Sequence, residues 1–311
     1  RLATKPRPRA LERRHYARCP SNSGCVAQDP RTMTVDRRLT PANGRVAAQH
    51  LRGQVTADRF VKGEDRRLNV PLADLLHEPH GRRERQLVLG DPVTVYERRE
   101  GWSFVQSQKD GYVGYLRTDT FDERATPTHW VAAPATHLYP EANFKVSERA
   151  HLPFGARLKV IAEVGSRFLE TEDGFVPRQH LAPVDWHYRD PVGVAALFLG
   201  TPYLWGGNSR EGIDCSGLVQ AACLACDLSC PADSDQQALS AGQALPLDSP
   251  RKRGDLLFWK GHVALVVDEA RLLHANAHSM SVAFEGIAEA ETRIEQQGDG
   301  PVTAHRRLIK V

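Results

Sequence analysis

Residues 201–220 read TPYLWGGNSREGIDCSGLVQ, a Gly-rich aromatic stretch that runs into Asp214-Cys215-Ser216-Gly217 and then into an apolar periodic segment. The change of texture at Asp214 predicts a helix from Cys215 to about Cys226, with Asp214 as its N-cap. A cysteine in the first turn sits where the helix dipole and free N–H groups favour an anion, which lowers a thiol pKa toward the nucleophilic thiolate. The same N–H groups can receive the oxyanion of a tetrahedral intermediate. The competing reading is a packed core thiol, the ordinary state of a free cysteine.

A thiol nucleophile needs a base, and the base needs an orienting partner. Downstream, GHVALVVDEARLLHANAH (residues 261–278) offers His262, His274 and His278. A tight turn near Asp268-Glu269 folds VALVVD onto RLLHAN, with His262 and His274 equally far from Asp268. Their even separation puts both on one face of the sheet, so one imidazole can take the thiol proton while the other fixes its tautomer. His278 falls outside this register.

The length of 311 residues exceeds one typical domain. Hydrophobic residues at 41% and charged residues at 25% are globular values that argue against disorder and against a membrane protein. A net charge of +3 is too small to indicate a nucleic-acid partner, and much of the basic excess lies in the opening RLATKPRPRALERRHYARCP. No run approaches the roughly 18–20 apolar residues that span a bilayer, and no apolar signal-peptide core follows the basic start. A cytoplasmic location without membrane insertion is the expectation. Of the cysteines, Cys215, Cys223, Cys226 and Cys230 crowd together, but Cys223 and Cys226 stand at helical spacing in an apolar segment rather than in zinc-type pairs. Core packing is expected of them, as of Cys19 and Cys25 no disulfide scaffold, with no metal and no cofactor.

Residues 1–36 read as a basic, irregular tail, and residues 37–65 as a helical lead-in. Residues 66–123 carry the short β runs RRLNVPLADLL, DPVTVYERR, GWSFVQSQ and GYVGYLRTD. A second set follows over 128–185: HWVAAPATHLYP, ARLKVIAEVG, SRFLETEDG and FVPRQHLAPVD. Both contain a DG-aromatic-V element, Asp110-Gly111-Tyr112-Val113 and Asp173-Gly174-Phe175-Val176, which sets a tight turn before a strand. Two tandem small β domains account for the repeat. From residue 186 to 311, helices give way to the strands DLLFWK, HVALVVD, RLLHANA and MSVAFE, an α+β layout.

The two β sets resemble the bacterial SH3-like domains found beside cell-wall enzymes. From about 190 to 285 the chain resembles the NlpC-type family of papain-like cysteine peptidases, through PYLWGG, DCSGLVQ, GDLLFW, GHVALVV and LLHANA in that order. The fold class is therefore α+β: a papain-like domain, its Cys-bearing helix packed on an antiparallel sheet, preceded by two small all-β SH3-like barrels. The resemblance implies Cys215 as nucleophile, His262 as general base and His274 as its orienting residue. It also implies Tyr203 at the oxyanion, Asp214 and Ser216 at the substrate's free amine, and Trp205 as a further substrate contact.

With two SH3-like domains in front, the chain looks most like enzymes of cell-wall peptide recycling that cut murein peptides between γ-D-glutamate and the diamino acid. In those enzymes the first SH3-like domain walls the cleft and clasps the amine of L-Ala, which implies Tyr112 and Glu84 here. Glu84 lies in the charge run GRRERQ, where a solvated surface residue is an equal reading. The family commonly has Gly after the HV pair, where this chain has Ala264. Two other readings are a non-hydrolytic wall-binding module with an idle Cys domain, and an amidase or acyltransferase on the same fold. Cys215, His262 and His274 argue against the first, and the lack of an apolar tunnel or membrane-facing stripe against the second.

Overall fold

Alternating apolar residues between Gly and Asp turns fold most of this chain into short antiparallel strands. A computed structural model describes residues 36–308. The expected tail lies outside the described residues save for Asp36, as do Cys19 and Cys25.

Residues 37–65 contain no α-helix, which corrects the expected helical lead-in. They form two 3-10 turns, Arg37–Leu39 and Gln49–Leu51, and the strands β1 (Val46–Ala48) and β2 (Arg59–Val61), paired in parallel. Gly44 and Gly53 take φ of 86° and 82°, and Pro41 has no N–H to give, so the apolar periodicity is broken three times before a helical turn can propagate.

The first β region comprises β3 (Glu64–Leu68), β4 (Leu72–Leu76), β5 (Arg83–Val88), β6 (Pro92–Arg99), β7 (Trp102–Ser107), β8 (Val113–Arg117) and β9 (Phe121–Asp122). They form one seven-stranded sheet, β5-β4-β8-β7-β6-β3-β9, with Leu68, Leu75, Leu87, Val93, Val105 and Leu116 buried in its core. The second β region has β10 (His129–Val131), β11 (Ala135–Leu138), β12 (Ala150–Pro153), β13 (Arg157–Leu158), β14 (Val160–Val164), β15 (Phe168–Thr171), β16 (Gly174–Pro177) and β17 (Leu181–Pro183). Its smaller sheets, β13-β10-β17, β11-β12 and β14-β15-β16, enclose Val131, Leu138, Leu152, Leu158 and Val176.

The remaining elements are α1 (Pro191–Ala196), β18 (Asn208–Ser209), β19 (Gly212–Ile213), α2 (Cys215–Ala225), α3 (Ser234–Ser240), β20 (Gln243–Leu245), β21 (Asp255–Trp259), β22 (His262–Val266), β23 (Arg271–Asn276), β24 (Ser281–Gly286), α4 (Ile287–Gln296) and β25 (Ala304–Arg307). The six-stranded sheet β20-β25-β21-β22-β23-β24 lies between two apolar layers. Leu218, Val219, Ala222 and Cys223 of α2 pack with Leu256, Phe258, Val263, Leu265 and Leu273, a layer that also buries Cys226 and Cys230. Ile287, Ala290 and Ile294 of α4 pack with Leu257, Trp259, Ala264, Val266 and Leu272. Full burial of each large apolar side chain contributes roughly 1.5–3 kcal/mol, so the alternation along β22 and β23 holds a helix on either side. A helix that opens on Cys215, packed on an antiparallel sheet behind β-rich regions, is the α+β arrangement expected. No helix among the described residues is long and apolar enough to cross a membrane.

Candidate active site

Asp214 organises the start of α2. Its Oδ1 accepts hydrogen bonds from the Gly217 N–H (2.6 Å) and the Ser216 hydroxyl (3.1 Å), and its Oδ2 accepts from the Gly206 N–H (2.8 Å). The PYLWGG loop is thereby tied to the helix end. Gly206 has φ of 71°, and a Cβ there would lie 2.7 Å from the Glu84 carbonyl oxygen, so only glycine lets this loop pass against β5.

Cys215 follows the cap, 6% exposed. The N–H of Val263, next to His262 on β22, is directed at its sulfur. Burial pushes the thiol up to about 12, with the Asp214 charge in support, and outweighs the N–H groups of Val263, Ser216 and Cys215 that pull the other way. The lowering expected of the helix terminus is outweighed, because burial strips water from the thiolate and the carboxylate that caps the helix adds a negative charge beside it. Cys215 is a neutral thiol at rest.

The two histidines meet: His262 Nε2 is 2.9 Å from His274 Nδ1. Pairing of Leu265 with Leu273 and of Val266 with Leu272 centres the hairpin on Glu269, one residue beyond Asp268. His262 and His274 are therefore offset along their strands rather than directly opposite. The offset is even, so both still project from the α4 face, in the rows of Ala264 and Leu272. His274 is buried, and its Nε2 lies 3.0 Å from Oε2 of Glu285 on β24. Arg293 of α4 donates to both oxygens of Glu285, each at 2.8 Å. Arg293 first and His274 next hold the Glu285 carboxyl well below the usual carboxylate range, against the effect of burial. Burial pushes His262 down to about 3, reinforced by His274 and Arg293 and opposed by Glu285. The Cys215 thiol and the His262 imidazole are thus both uncharged, and no hydrogen bond joins them among the described residues. The methyl of Ala264 lies in the α4 layer. His278 is exposed in the turn after β23.

A cavity of about 270 Å³ opens over Cys215, and seven of the nine sequence-predicted site residues line it: Cys215, Asp214, Ser216, Tyr203, Trp205, Tyr112 and Glu84. His262 and His274 stand beyond its edge at Gly261. Burial, then Cys215 and Asp214, raise the Tyr203 hydroxyl, which keeps it a donor. Trp205 is 66% exposed at the rim. Asp214 and Ser216 face the cavity with hydrogen bonds already made to the loop, the helix and each other.

GRRERQ is not a solvated run, which corrects one of the two readings of Glu84. From Arg83 onward it is part of β5, and the Glu84 side chain is 7% exposed, within 2.9 Å of Arg37 and 3.2 Å of Arg82. Although burial works to raise it, Arg37, Tyr112 and His77 hold the Glu84 carboxyl below its ordinary value. The Tyr112 hydroxyl lies 3.1 Å from both Glu84 Oε2 and Asp233 Oδ2. Three acids and a tyrosine therefore converge at one end of the cavity, with Arg38 bridging Asp233 and Asp235 at 2.7 and 2.6 Å.

Sequence reasoning missed Asp233, Arg38, Arg85, Glu285 and Arg293. For Asp233 a signal existed: DSDQQ is a helix start, and Asp233 and Gln236 form its capping box. Arg85 offered none. It is 1% exposed, and donates to the Ser216 hydroxyl (3.3 Å), the Ala232 carbonyl (2.9 Å), Asn208 Oδ1 (3.1 Å) and Gln220 Oε1 (3.0 Å).

Comparison with known proteins agrees with this geometry. Residues 200–296 match the NlpC/P60 family, and residues 75–121 match the bacterial dipeptidyl-peptidase Sh3 domain. The chain is 32% identical over 233 residues to a gamma-D-glutamyl-L-lysine dipeptidyl-peptidase of Bacillus subtilis, covering 66% of this chain and 76% of that protein. It is 27% identical over 264 residues to dipeptidyl-peptidase 6 of Lysinibacillus sphaericus, covering 75% and 95%. Its fold is similar to the crystal structure of an NlpC/P60 family protein from Bacillus cereus, with a TM-score of 0.67 at 19% identity, over 79% of this chain and 100% of that one.

Proposed function

We propose that this chain, which belongs to the NlpC/P60 family of cysteine peptidases, hydrolyses the γ-D-glutamyl–diamino acid bond of murein stem peptides that carry a free N-terminal L-Ala, in cell-wall peptide recycling. Cell-wall peptidase activity follows from the family. The finer reading rests on one observation: Glu84 and Asp233, both within reach of the Tyr112 hydroxyl, stand at the end of the cavity that holds Cys215, where Arg37, Arg82 and Arg38 now pair with them. An ammonium group can take a guanidinium's place on those carboxylates, and a capped amine cannot.

His262 Nε2 faces His274, which leaves Nδ1 to take the Cys215 proton. Because thiol and imidazole are both neutral at rest, the proton moves as sulfur attacks the amide carbon. Tyr203 and the N–H groups at the start of α2 hold the oxyanion. The imidazolium then returns the proton to the departing amine, and the C–N bond breaks to leave a thioester on Cys215. Water, deprotonated by His262, attacks the thioester, and the proton passes back to the thiol.

The test is mass spectrometry of products from L-Ala-γ-D-Glu-L-Lys and its diaminopimelate counterpart, with the amine free or acetylated. Release of L-Ala-γ-D-Glu is expected, none with Cys215→Ala, and kcat/KM at least about tenfold lower on acetylated peptide, the equivalent of 1.36 kcal/mol. Equal rates on free and acetylated peptide would shift the substrate to the assembled wall.

A further inference from the structure

The pair of histidines leaves one question of proton placement, since each neutral imidazole carries its proton on either of two nitrogens. His274 Nε2 is buried and has no hydrogen bond of good geometry among the described residues; the acceptor beside it is the Glu285 carboxylate, with Oε2 3.0 Å away. We propose that Glu285 is a positioning residue for the reaction, holding the proton of His274 on Nε2 and thereby dictating the tautomer of His262.

The consequence propagates by exclusion. An ionised carboxylate only accepts, so the nitrogen facing it must carry a proton. His274 then presents the Nδ1 lone pair to His262 Nε2, 2.9 Å away, and that contact is satisfied only if His262 carries its proton on Nε2. The remaining nitrogen, His262 Nδ1, is left with a free lone pair. That lone pair is what the Cys215 proton requires. Arg293 completes the device: its two donors, both at 2.8 Å, keep Glu285 an acceptor and fix the plane of its carboxylate. Glu285 lies on β24 and Arg293 on α4, so the two elements that form the far wall of the sheet set the protonation of a base two side chains away. With His274 protonated on Nδ1 instead, two N–H groups would face each other across the pair, or His262 would be left with a proton aimed at the thiol.

This inference rests on the assignment of His262 as base, but its first test does not need a substrate. Imidazole ¹⁵N chemical shifts of the wild-type protein, assigned with His274→Gln, report the two tautomers directly. The proton of His274 on Nε2 and that of His262 on Nε2 are expected; His274 protonated on Nδ1 would overturn the proposal even if the peptidase assay succeeds, and the expected shifts would uphold it even if the stem peptide is not cut. The second test is Glu285→Gln, whose amide can turn either a donor or an acceptor toward His274. Loss of the fixed tautomer together with a fall in kcat of at least about tenfold, at a KM within about twofold, is expected. A variant with wild-type kcat overturns the proposal. So does one that loses kcat while His274 keeps its Nε2 proton, since Glu285 would then serve only to anchor α4 through Arg293.

Discussion

From residues 66–123 the Cys215 helix receives a buried guanidinium, and from residues 128–185 its layer receives aromatic rings. Arg85 enters from β5 and hydrogen-bonds to Ser216, Gln220, Asn208 and the Ala232 carbonyl, while Glu84 and Tyr112 on the same sheet reach the cavity. Trp130 and Phe154 of the second region meet Tyr188 and Phe198 instead, with ring centroids 5.4 Å apart for Trp130–Phe154 and for Phe154–Phe198 and 6.1 Å for Trp130–Tyr188. Hydrogen bonds fix direction as well as distance; apolar contact tolerates small rotations. The sheet that carries Glu84 and Tyr112 to the cavity is bolted by the former. A region that only braces the fold is held by the latter.

Arg85→Met is expected to do the most damage. Asp214 and Asp233, within 3.9 and 3.7 Å of the guanidinium, would lose a buried counter-charge, and four acceptors would lose their donor. Breaking such a network typically costs about 3–5 kcal/mol, read as a lowered urea midpoint, and kcat/KM should fall with it as the wall of the cleft shifts. Unchanged stability and activity would break the comparison at its centre.

Tyr112→Phe comes next and acts on recognition alone. It removes the hydroxyl shared by Glu84 and Asp233, worth about 1–1.5 kcal/mol, so kcat/KM on the free-amine peptide should fall about tenfold. The rate on acetylated peptide should change less. A uniform loss on both would place Tyr112 in the fold rather than in the choice of substrate.

Phe154→Leu should be the mildest. Trimming one ring from the aromatic brace costs up to about 1.5 kcal/mol of stability, visible in Tm, while kcat/KM stays within about twofold. A fall in kcat/KM comparable to that of Tyr112→Phe would mean that the second β region shapes the cleft after all.

The sequence by itself determined what depends on near neighbours along the chain. An acidic N-cap before an apolar period announces α2 and puts Cys215 in its first turn; a twofold period on either side of an Asp-Glu turn puts His262 and His274 on one face, and an error of one residue in the centre of the hairpin leaves that face unchanged. The order of PYLWGG, DCSG and HV blocks carries the family with them. Only the tertiary structure decided the electrostatics. Whether the thiol is lowered by a helix end or raised to about 12 depends on how much water is removed from it and on the charge that caps the helix, and desolvation is a property of everything packed around a group. The same holds for GRRERQ, which reads as a surface run until β5 turns Arg85 into the Cys215 domain, and for Glu285 and Arg293, whose partners His274 and Glu285 come together only when β24 and α4 close the sheet. Caps and periods are local and recur in any fold, whereas a buried charge finds its partners across the fold, where spacing along the chain carries no information.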